Sequence, residues 1–104
     1  MISYRLLMTQ TATDDLNEIA VYIAKELREP STAKKLIGRI KDAVMSLAEL
    51  PNRHSLIADE TLAVQGIRKL FVDNYIVFCV INEENKMVII VRILYNKRDW
   101  VNLL

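Results

Sequence analysis

Apolar residues recur every three or four positions in the first half of the chain and alternate or run together in the second half. The helical spacing covers two segments, one from about Ala12 to Arg28 and one from Ser31 to about Leu50. Because an amphipathic helix repeats every 3.6 residues, each segment predicts a helix with one buried face. Pro30 and Pro51 follow the segments, so we expect the helices to end there. The predicted buried positions are Leu16, Ile19, Ala20, Ile23 and Leu27 in the first helix and Ala33, Leu36, Ile37, Ile40, Val44 and Leu47 in the second.

Polar residues ahead of each segment predict where the helices start. Thr11, with Asp14 three residues later, resembles a capping box, and Ser31 is a typical N-cap for the second helix. Asp14, Asp15 and Glu18 suit the positive end of the first helix. We therefore interpret these carboxylates as helix-capping groups and not as a catalytic pair.

Four segments have strand character. They are Ser3 to Met8, Ile67 to Val72, Tyr75 to Ile81 and Met87 to Leu94. Asp73-Asn74 is a turn pair that tolerates positive φ and suits a two-residue hairpin, and Asp99 is expected to cap a short closing helix through Leu104.

The order of these elements predicts one α+β domain over residues 1–104. In it, an N-terminal strand and an antiparallel two-helix hairpin pack on a curved antiparallel sheet, which a three-strand C-terminal meander completes.

The hairpin turns also predict a strand register. A two-residue turn pairs Arg68 with Cys79, and the next turn is expected to place Cys79 opposite Ile90 and Val77 opposite Arg92. One sheet face then carries both arginines and Tyr75, and the other face is more apolar. We expect the helices to cover the more apolar face and to leave the arginine face open to a ligand. The arginine face comprises Arg68, Leu70, Val72, Tyr75, Val77, Cys79, Ile90, Arg92 and Leu94, and the apolar face comprises Ile67, Lys69, Phe71, Ile76, Phe78, Val80, Ile89, Val91 and Ile93.

Composition narrows the function classes. The chain has 104 residues, 52% of them hydrophobic, and a formal net charge of +1. No apolar run approaches the ~20 residues of a membrane span, and no signal peptide is expected. One cysteine, Cys79, excludes an internal disulfide and fits a reducing cytoplasm. A protein that binds the phosphate backbone of a nucleic acid usually has a clearly positive net charge, and this chain is nearly neutral.

Motifs for cofactor or metal chemistry are missing from the sequence. There is no phosphate loop, zinc pattern or nucleotide fingerprint, so neither a cofactor nor a metal is expected. His54 has no partner at metal-ligand spacing. Cys79 lies between Phe78 and Val80 and is interpreted as a small buried hydrophobe.

The chain resembles the RelE/ParE superfamily, the toxin halves of bacterial toxin–antitoxin pairs, over nearly its whole length. The resemblance rests on the order and spacing of several short motifs. These are the Ala-x-x-Asp-Leu-x-x-Ile pattern of Ala12, Asp15, Leu16 and Ile19, then Ala33, Leu47-x-x-x-Pro51, Gly66-Ile67-Arg68, Asn74 to Phe78, Arg92 to Tyr95, and Arg98-Asp99.

This resemblance implies a cytoplasmic growth inhibitor that a cognate antitoxin holds inactive in a hetero-oligomer. The antitoxin is expected to fold on binding, to wrap the sheet or the helical groove, and to neutralise toxin cations with its own acids. RelE-like members cut mRNA in the ribosome, ParE-like members poison DNA gyrase by binding it, and others are described as plasmid-stabilisation proteins. A non-toxic interaction module of the same fold is a further alternative.

Departures from the RelE-like pattern favour the ParE-like branch. RelE-like nucleases usually carry an arginine where this chain has Ile76. Only Arg68 (or Lys69 in its place), Arg92 and Tyr95 remain as a catalytic set, should the chain be a nuclease. Two arginines would stabilise charge on the phosphate, and Tyr95 would act as acid or base only with a lowered pKa.

Four of the six candidate residues also have a structural explanation. Arg68 is either a site cation or a partner for Glu83 or Asp73, and Tyr95 either reacts or covers the core. Binding roles are assigned to three residues, Lys69, Tyr75 and Arg98. For Lys69 the alternative is a snorkelling side chain, and for Arg98 it is an ion pair with Asp99.

Overall fold

The computed structural model describes residues 3–49, 57–58 and 66–96. Two helices follow a short strand, and three long strands come after them. The elements are β1 (Arg5–Met8), α1 (Gln10–Val21), a π-helical turn (Tyr22–Glu26), α2 (Pro30–Ser46), β2 (Ile57–Ala58), β3 (Ile67–Val72), β4 (Tyr75–Asn82) and β5 (Met87–Tyr95). None of the described helices has both the length and the hydrophobicity needed to cross a membrane.

The strands form one sheet in the order β1-β5-β4-β3-β2. The three long strands are an antiparallel meander, as predicted, and β2 adds to its edge in antiparallel orientation. The first strand pairs with β5 in parallel, so the sheet is mixed and not wholly antiparallel. The α+β class, the helical hairpin and the C-terminal meander are otherwise as the sequence predicts.

The start of α1 differs from the prediction. Its N-cap is Thr9 and not Thr11, and the Thr9 hydroxyl accepts a hydrogen bond from the Ala12 amide at 3.1 Å. The second helix begins at Pro30 with Glu29 as N-cap and no side-chain cap, so Ser31 lies inside the helix. Proline at the first helical position needs no partner for an amide hydrogen, because it has none.

The β3–β4 register is the predicted one, and the Asp73-Asn74 turn has the expected positive φ of 53° at Asp73. The β4–β5 register is right only as far as Cys79 and Ile90. A β-bulge follows, so Arg92 lies opposite Phe78 and not opposite Val77. Val91 is the extra residue of the bulge, because it lies between Ile90 and Arg92, whose partners Cys79 and Phe78 are consecutive.

The helices cover the opposite sheet face from the one predicted. Their apolar residues form one buried cluster with Val72, Val77, Cys79 and Ile90, which belong to the predicted arginine face. The other face has its own smaller cluster, comprising Ile67, Ile76, Phe78 and Leu94 with Val80 and Val91 packed against it. The more apolar face was therefore not the face that the helices cover, because both faces of the central strands are buried.

The bulge changes the alternation along β5. Val88 and Ile90 belong to the helix-covered cluster, and beyond the bulge the odd-numbered Ile93 joins the same cluster. A one-residue shift exchanges the faces of a strand. The predicted closing helix, Arg98 and His54 lie outside the described residues.

Candidate functional site

Asp15 and Arg92 form a clamp between α1 and β5. Arg92 donates from Nε to Asp15 Oδ2 at 2.9 Å and from Nη2 to Asp15 Oδ1 at 2.7 Å, which is the bidentate geometry of strong arginine–carboxylate pairs. The backbone amide of Ile93 donates to Asp15 Oδ2 at 3.0 Å. The Asp15 side chain is 7% exposed and the Arg92 side chain 20% exposed, so the pair is largely removed from water.

The clamp exists because β1 ends before β5 does. The pairing with β1 stops at Ile90, and no other strand in the described part of the chain pairs with that edge of β5 beyond it. Thr9 begins to cover this edge, since its amide donates to the Ile90 carbonyl at 3.0 Å and its hydroxyl to the Val91 carbonyl at 3.0 Å. Asp15 then accepts the Ile93 amide, so the start of α1 satisfies the polar backbone of the open edge.

The clamp changes the electrostatics of Arg92. The hydrogen bonds that Arg92 donates to Asp15 raise the pKa of its guanidinium, while burial lowers it, and the charges of Asp15 and Glu18 raise it further. The guanidinium is therefore a fixed, paired cation.

An open groove lies beside the clamp. It has a volume of about 810 Å³ and runs between the helical hairpin and the ends of the β-strands. Its lining joins apolar, tyrosine and charged side chains. The lining residues are Asp15, Glu18, Ile19, Tyr22, Ile23, Leu27, Thr32, Leu36, Arg39, Asp73, Asn74, Tyr75, Ile93, Leu94 and Tyr95.

Three tyrosines gather at this groove. The rings of Tyr75 and Tyr95, which lie opposite each other on β4 and β5, have centroids 5.5 Å apart at an angle of 53°. Burial raises the pKa of the Tyr75 hydroxyl, and the neighbouring Tyr95 and Tyr22 hydroxyls raise it further. The shift is therefore in the direction opposite to the one that would make Tyr75 a base.

An ion pair closes one end of the groove. Arg39 of α2 reaches Asp73 in the β3–β4 turn, with Nη2 2.6 Å and Nε 2.8 Å from Asp73 Oδ2. Both side chains are about half exposed, so the pair stabilises the fold by at most about 1 kcal/mol. It nevertheless holds the turn next to the second helix.

The structure separates the residues of the predicted catalytic set. Arg68 is exposed and pairs with Cys79 across β3 and β4. Tyr95 pairs with Tyr75, which in turn pairs with Val72, so Tyr95 lies at the level of Val72 in the sheet. Val72 is four residues beyond Arg68, which is roughly 13 Å along the strand. Arg92 is nearer to Tyr95 in sequence, but its guanidinium is held by Asp15 on α1.

The predicted binding residues also lie apart. Tyr75 is in the groove. Lys69 is buried, at 8% exposure, on the face away from the helices, with its ammonium 5.9 Å from the centre of the Phe71 ring. Among the described residues, no three His, Cys, Asp or Glu side chains come together as a possible metal site.

Sequence reasoning missed Asp15, Tyr22 and the Arg39–Asp73 pair. A signal for Asp15 was available, because Ala12, Asp15 and Ile19 have the spacing of one helix face. A carboxylate on a buried face requires a partner, and interpreting it as a cap hid that requirement.

The chain and its fold of a helical hairpin on a mixed sheet match known proteins. The family model described as the ParE toxin of the type II toxin–antitoxin system, parDE, matches residues 6–100. The chain belongs to the ParE toxin family. It is thus a toxin of a type II toxin–antitoxin system within the RelE/ParE superfamily, as the sequence resemblance predicted.

Solved structures show the same fold for this toxin. A chain of the chromosomal ParDE system from P. aeruginosa has a TM-score of 0.75 and 24% identity, over 91% of this chain and 98% of that one. A chain of the toxin–antitoxin complex RelBE2 from Mycobacterium tuberculosis has a TM-score of 0.64 and 19% identity, over 90% and 99%. No curated protein matches the toxin at a significant level.

Proposed function

We propose that this toxin arrests bacterial growth by binding DNA gyrase in the cytoplasm, and that a cognate antitoxin holds it inactive in a hetero-oligomer. The observation that favours binding over RNA cleavage is the clamp between Asp15 and Arg92. A guanidinium that is bidentate on a carboxylate of its own chain is not available to stabilise a phosphate during RNA cleavage.

Two further observations support a binding mode of action. Arg68 and Tyr95 lie on sheet positions roughly 13 Å apart along the strand, so the backbone does not place the two side chains next to each other as a preformed acid–base site would require. The net charge of +1 also gives little general attraction to RNA. By contrast, the tyrosine-lined groove has the mixed chemistry of a protein-binding surface.

The antitoxin is proposed from family membership. The two structural relatives belong to a ParDE system and a RelBE2 complex, each of which pairs a toxin with an antitoxin. We expect the antitoxin gene to lie beside the toxin gene and to encode a small protein with a DNA-binding part.

Growth arrest and gyrase inhibition can be measured directly. The toxin is expressed without antitoxin in a bacterial host while growth, DNA synthesis and protein synthesis are followed by pulse labelling. Purified toxin is added in parallel to a gyrase supercoiling assay. We expect DNA synthesis to stop first and supercoiling to be inhibited, because the proposed action is stoichiometric binding.

Two variants separate binding from RNA cleavage. Tyr95→Phe removes the hydroxyl and keeps the ring, and Arg68→Ala removes the exposed cation. A binding toxin retains its growth arrest in both. The RelE-like alternative, a ribosome-dependent mRNA endonuclease, requires an early stop in translation, RNA fragments, and loss of activity in these variants. Normal growth with soluble toxin would contradict toxicity in that host and favour a non-toxic interaction module.

A further inference from the structure

The rim of the groove carries large apolar side chains that are exposed among the described residues. Tyr22 is 55% exposed, Leu27 51% and Tyr95 38%. Side chains of this size rarely remain together in water unless another molecule covers them. The groove therefore has the surface of an interface.

A backbone irregularity positions two of these side chains. Tyr22–Glu26 forms a π-helical turn, in which the Leu27 amide donates to the Tyr22 carbonyl at 3.4 Å. Both Tyr22 and Leu27, at the two ends of this turn, line the groove. Single π-helical turns are rare in proteins, and those that occur are often found at functional sites. This turn therefore supports a functional role for the groove independently of the exposed side chains.

Two of the three carboxylates that line the groove are in ion pairs, and within the described residues the third is not. The groove lining includes three carboxylates and one guanidinium. Asp73 is paired with Arg39, and Asp15 with Arg92 behind the lining. Glu18 is exposed and has neither a hydrogen bond nor an ion pair within the described part of the chain, and its charge acts on Arg92 only at a distance. The group that would complement this groove is a cation.

The tyrosine rings favour the same kind of group. An ammonium or guanidinium is attracted to the face of a tyrosine ring, and more strongly where water is displaced. Tyr22, Tyr75 and Tyr95 all line the groove that Glu18 lines. Aromatic rings beside a carboxylate are the chemistry that recognises an organic cation with apolar neighbours.

We propose that this groove receives an arginine or lysine side chain of the cognate antitoxin, with its charge beside Glu18 and the tyrosine rings and its apolar neighbours on Tyr22 and Leu27. This inference rests on the proposed antitoxin partnership and reverses the charge pattern expected from the sequence. At this groove the toxin supplies the acid and the antitoxin supplies the cation.

The test uses the small protein encoded beside the toxin gene as its probe. Its affinity for purified toxin is measured by calorimetry for Glu18→Lys and Tyr22→Ala. Glu84→Lys is the matched control for charge, because Glu84 is exposed in the β4–β5 turn, and Met45→Ala is the control for an exposed helical side chain outside the groove lining. We expect Kd to rise about tenfold or more in each groove variant and less than about twofold in the controls.

A charge exchange separates lost complementarity from misfolding. Each arginine and lysine of the antitoxin's toxin-binding part is changed to glutamate in turn, and one such change is expected to restore binding to Glu18→Lys. Wild-type affinity in both groove variants, or no restoring exchange, would overturn the groove proposal and leave the partnership intact. If the wild-type toxin does not bind the probe, the partnership itself is wrong and the inference falls with it.

Discussion

Asp15 is a single carboxylate that satisfies three donors from β5. It accepts two hydrogen bonds from the Arg92 side chain and one from the Ile93 backbone. No buried side-chain nitrogen or oxygen in the described part of the chain lacks a partner, so the cost of burying this pair is offset by hydrogen bonds. The interaction joins the helix layer to the stretch of β5 beyond Ile90, where none of the described strands pairs with this edge.

Replacing Asp15 by asparagine tests the strength of the clamp. Asp15→Asn keeps an oxygen for the Ile93 amide but removes the carboxylate charge that directly contacts the partly buried Arg92. We expect the free energy of unfolding to fall by about 3 kcal/mol, the lower end for a broken buried pair, because Arg92 is 20% exposed. Urea denaturation measures the change.

The neighbouring Asp14 provides the control. It is exposed and bonded to Gln10 at 2.9 Å, so Asp14→Asn should change stability by less than about 0.5 kcal/mol. Equal effects of the two changes would show that Asp15 acts only through the helix dipole, as the sequence first indicated.

At the scale of elements, the sequence predicted the helices and strands well because helical spacing, strand alternation and turn residues depend only on neighbouring positions. The β3–β4 hairpin follows from Asp73-Asn74 and the alternation around it. The bulge at Val91 depends instead on where β1 ends and on how the start of α1 covers the edge, which are contacts over 82 positions of sequence. The face of the sheet that the helices choose is equally non-local, since Phe78 and Cys79 are both fully buried on opposite faces.

The start of α1 gives a prediction at this scale. Thr9 caps the helix and also bonds β5, whereas the exposed Thr11 shows no such contact. We expect Thr9→Ala to reduce the free energy of unfolding by about 2 kcal/mol, the sum of a lost cap and a lost hydrogen bond. Thr11→Ala should stay within about 0.5 kcal/mol in the same thermal or urea titration. A larger loss of stability for Thr11→Ala than for Thr9→Ala would instead identify Thr11 as the N-cap.

For the whole molecule, alkaline pH should be the destabilising direction. Burial raises the pKa of the Cys79 thiol from 9.0 to about 11, against a smaller lowering by the Arg68 charge. The folded chain then keeps a proton that the unfolded chain loses above pH 9, so stability falls as pH rises towards 11. The hydroxyls of Tyr4 and Tyr75 also have raised pKa values, the first through its bond to Glu83 and the second through burial, and they act in the same direction.

A series of urea titrations between pH 8 and 11 measures this slope. We expect Cys79 to contribute on the order of 2 kcal/mol across the interval. Cys79→Ala lowers stability at every pH because it leaves a cavity, yet its curve should be flatter than that of the wild type. A wild-type curve that stays level to pH 11, or a variant with an unchanged slope, would contradict the burial of this thiol.

The candidate site could be predicted from sequence only in part, for a physical reason. Tyr75 and Tyr95 lie in recognisable motifs, and both line the groove. Their neighbours Tyr22 and Arg39 come from helices whose distance from the strand ends depends on tertiary packing. A strand pattern also gives no sign that Arg92 is held by a carboxylate 77 positions earlier.

The parallel pairing of β1 with β5 has a consequence for the order of events during protein synthesis. The first strand emerges early from the ribosome, but its hydrogen-bonding partner begins at Met87. Contacts between distant segments form late, because the intervening chain must first be made and its loop closed. The clamp and the groove therefore come into existence only once β5 has been translated. Until then the nascent chain lacks the groove that is the proposed antitoxin site, so the two proteins are expected to associate only after β5 has been made.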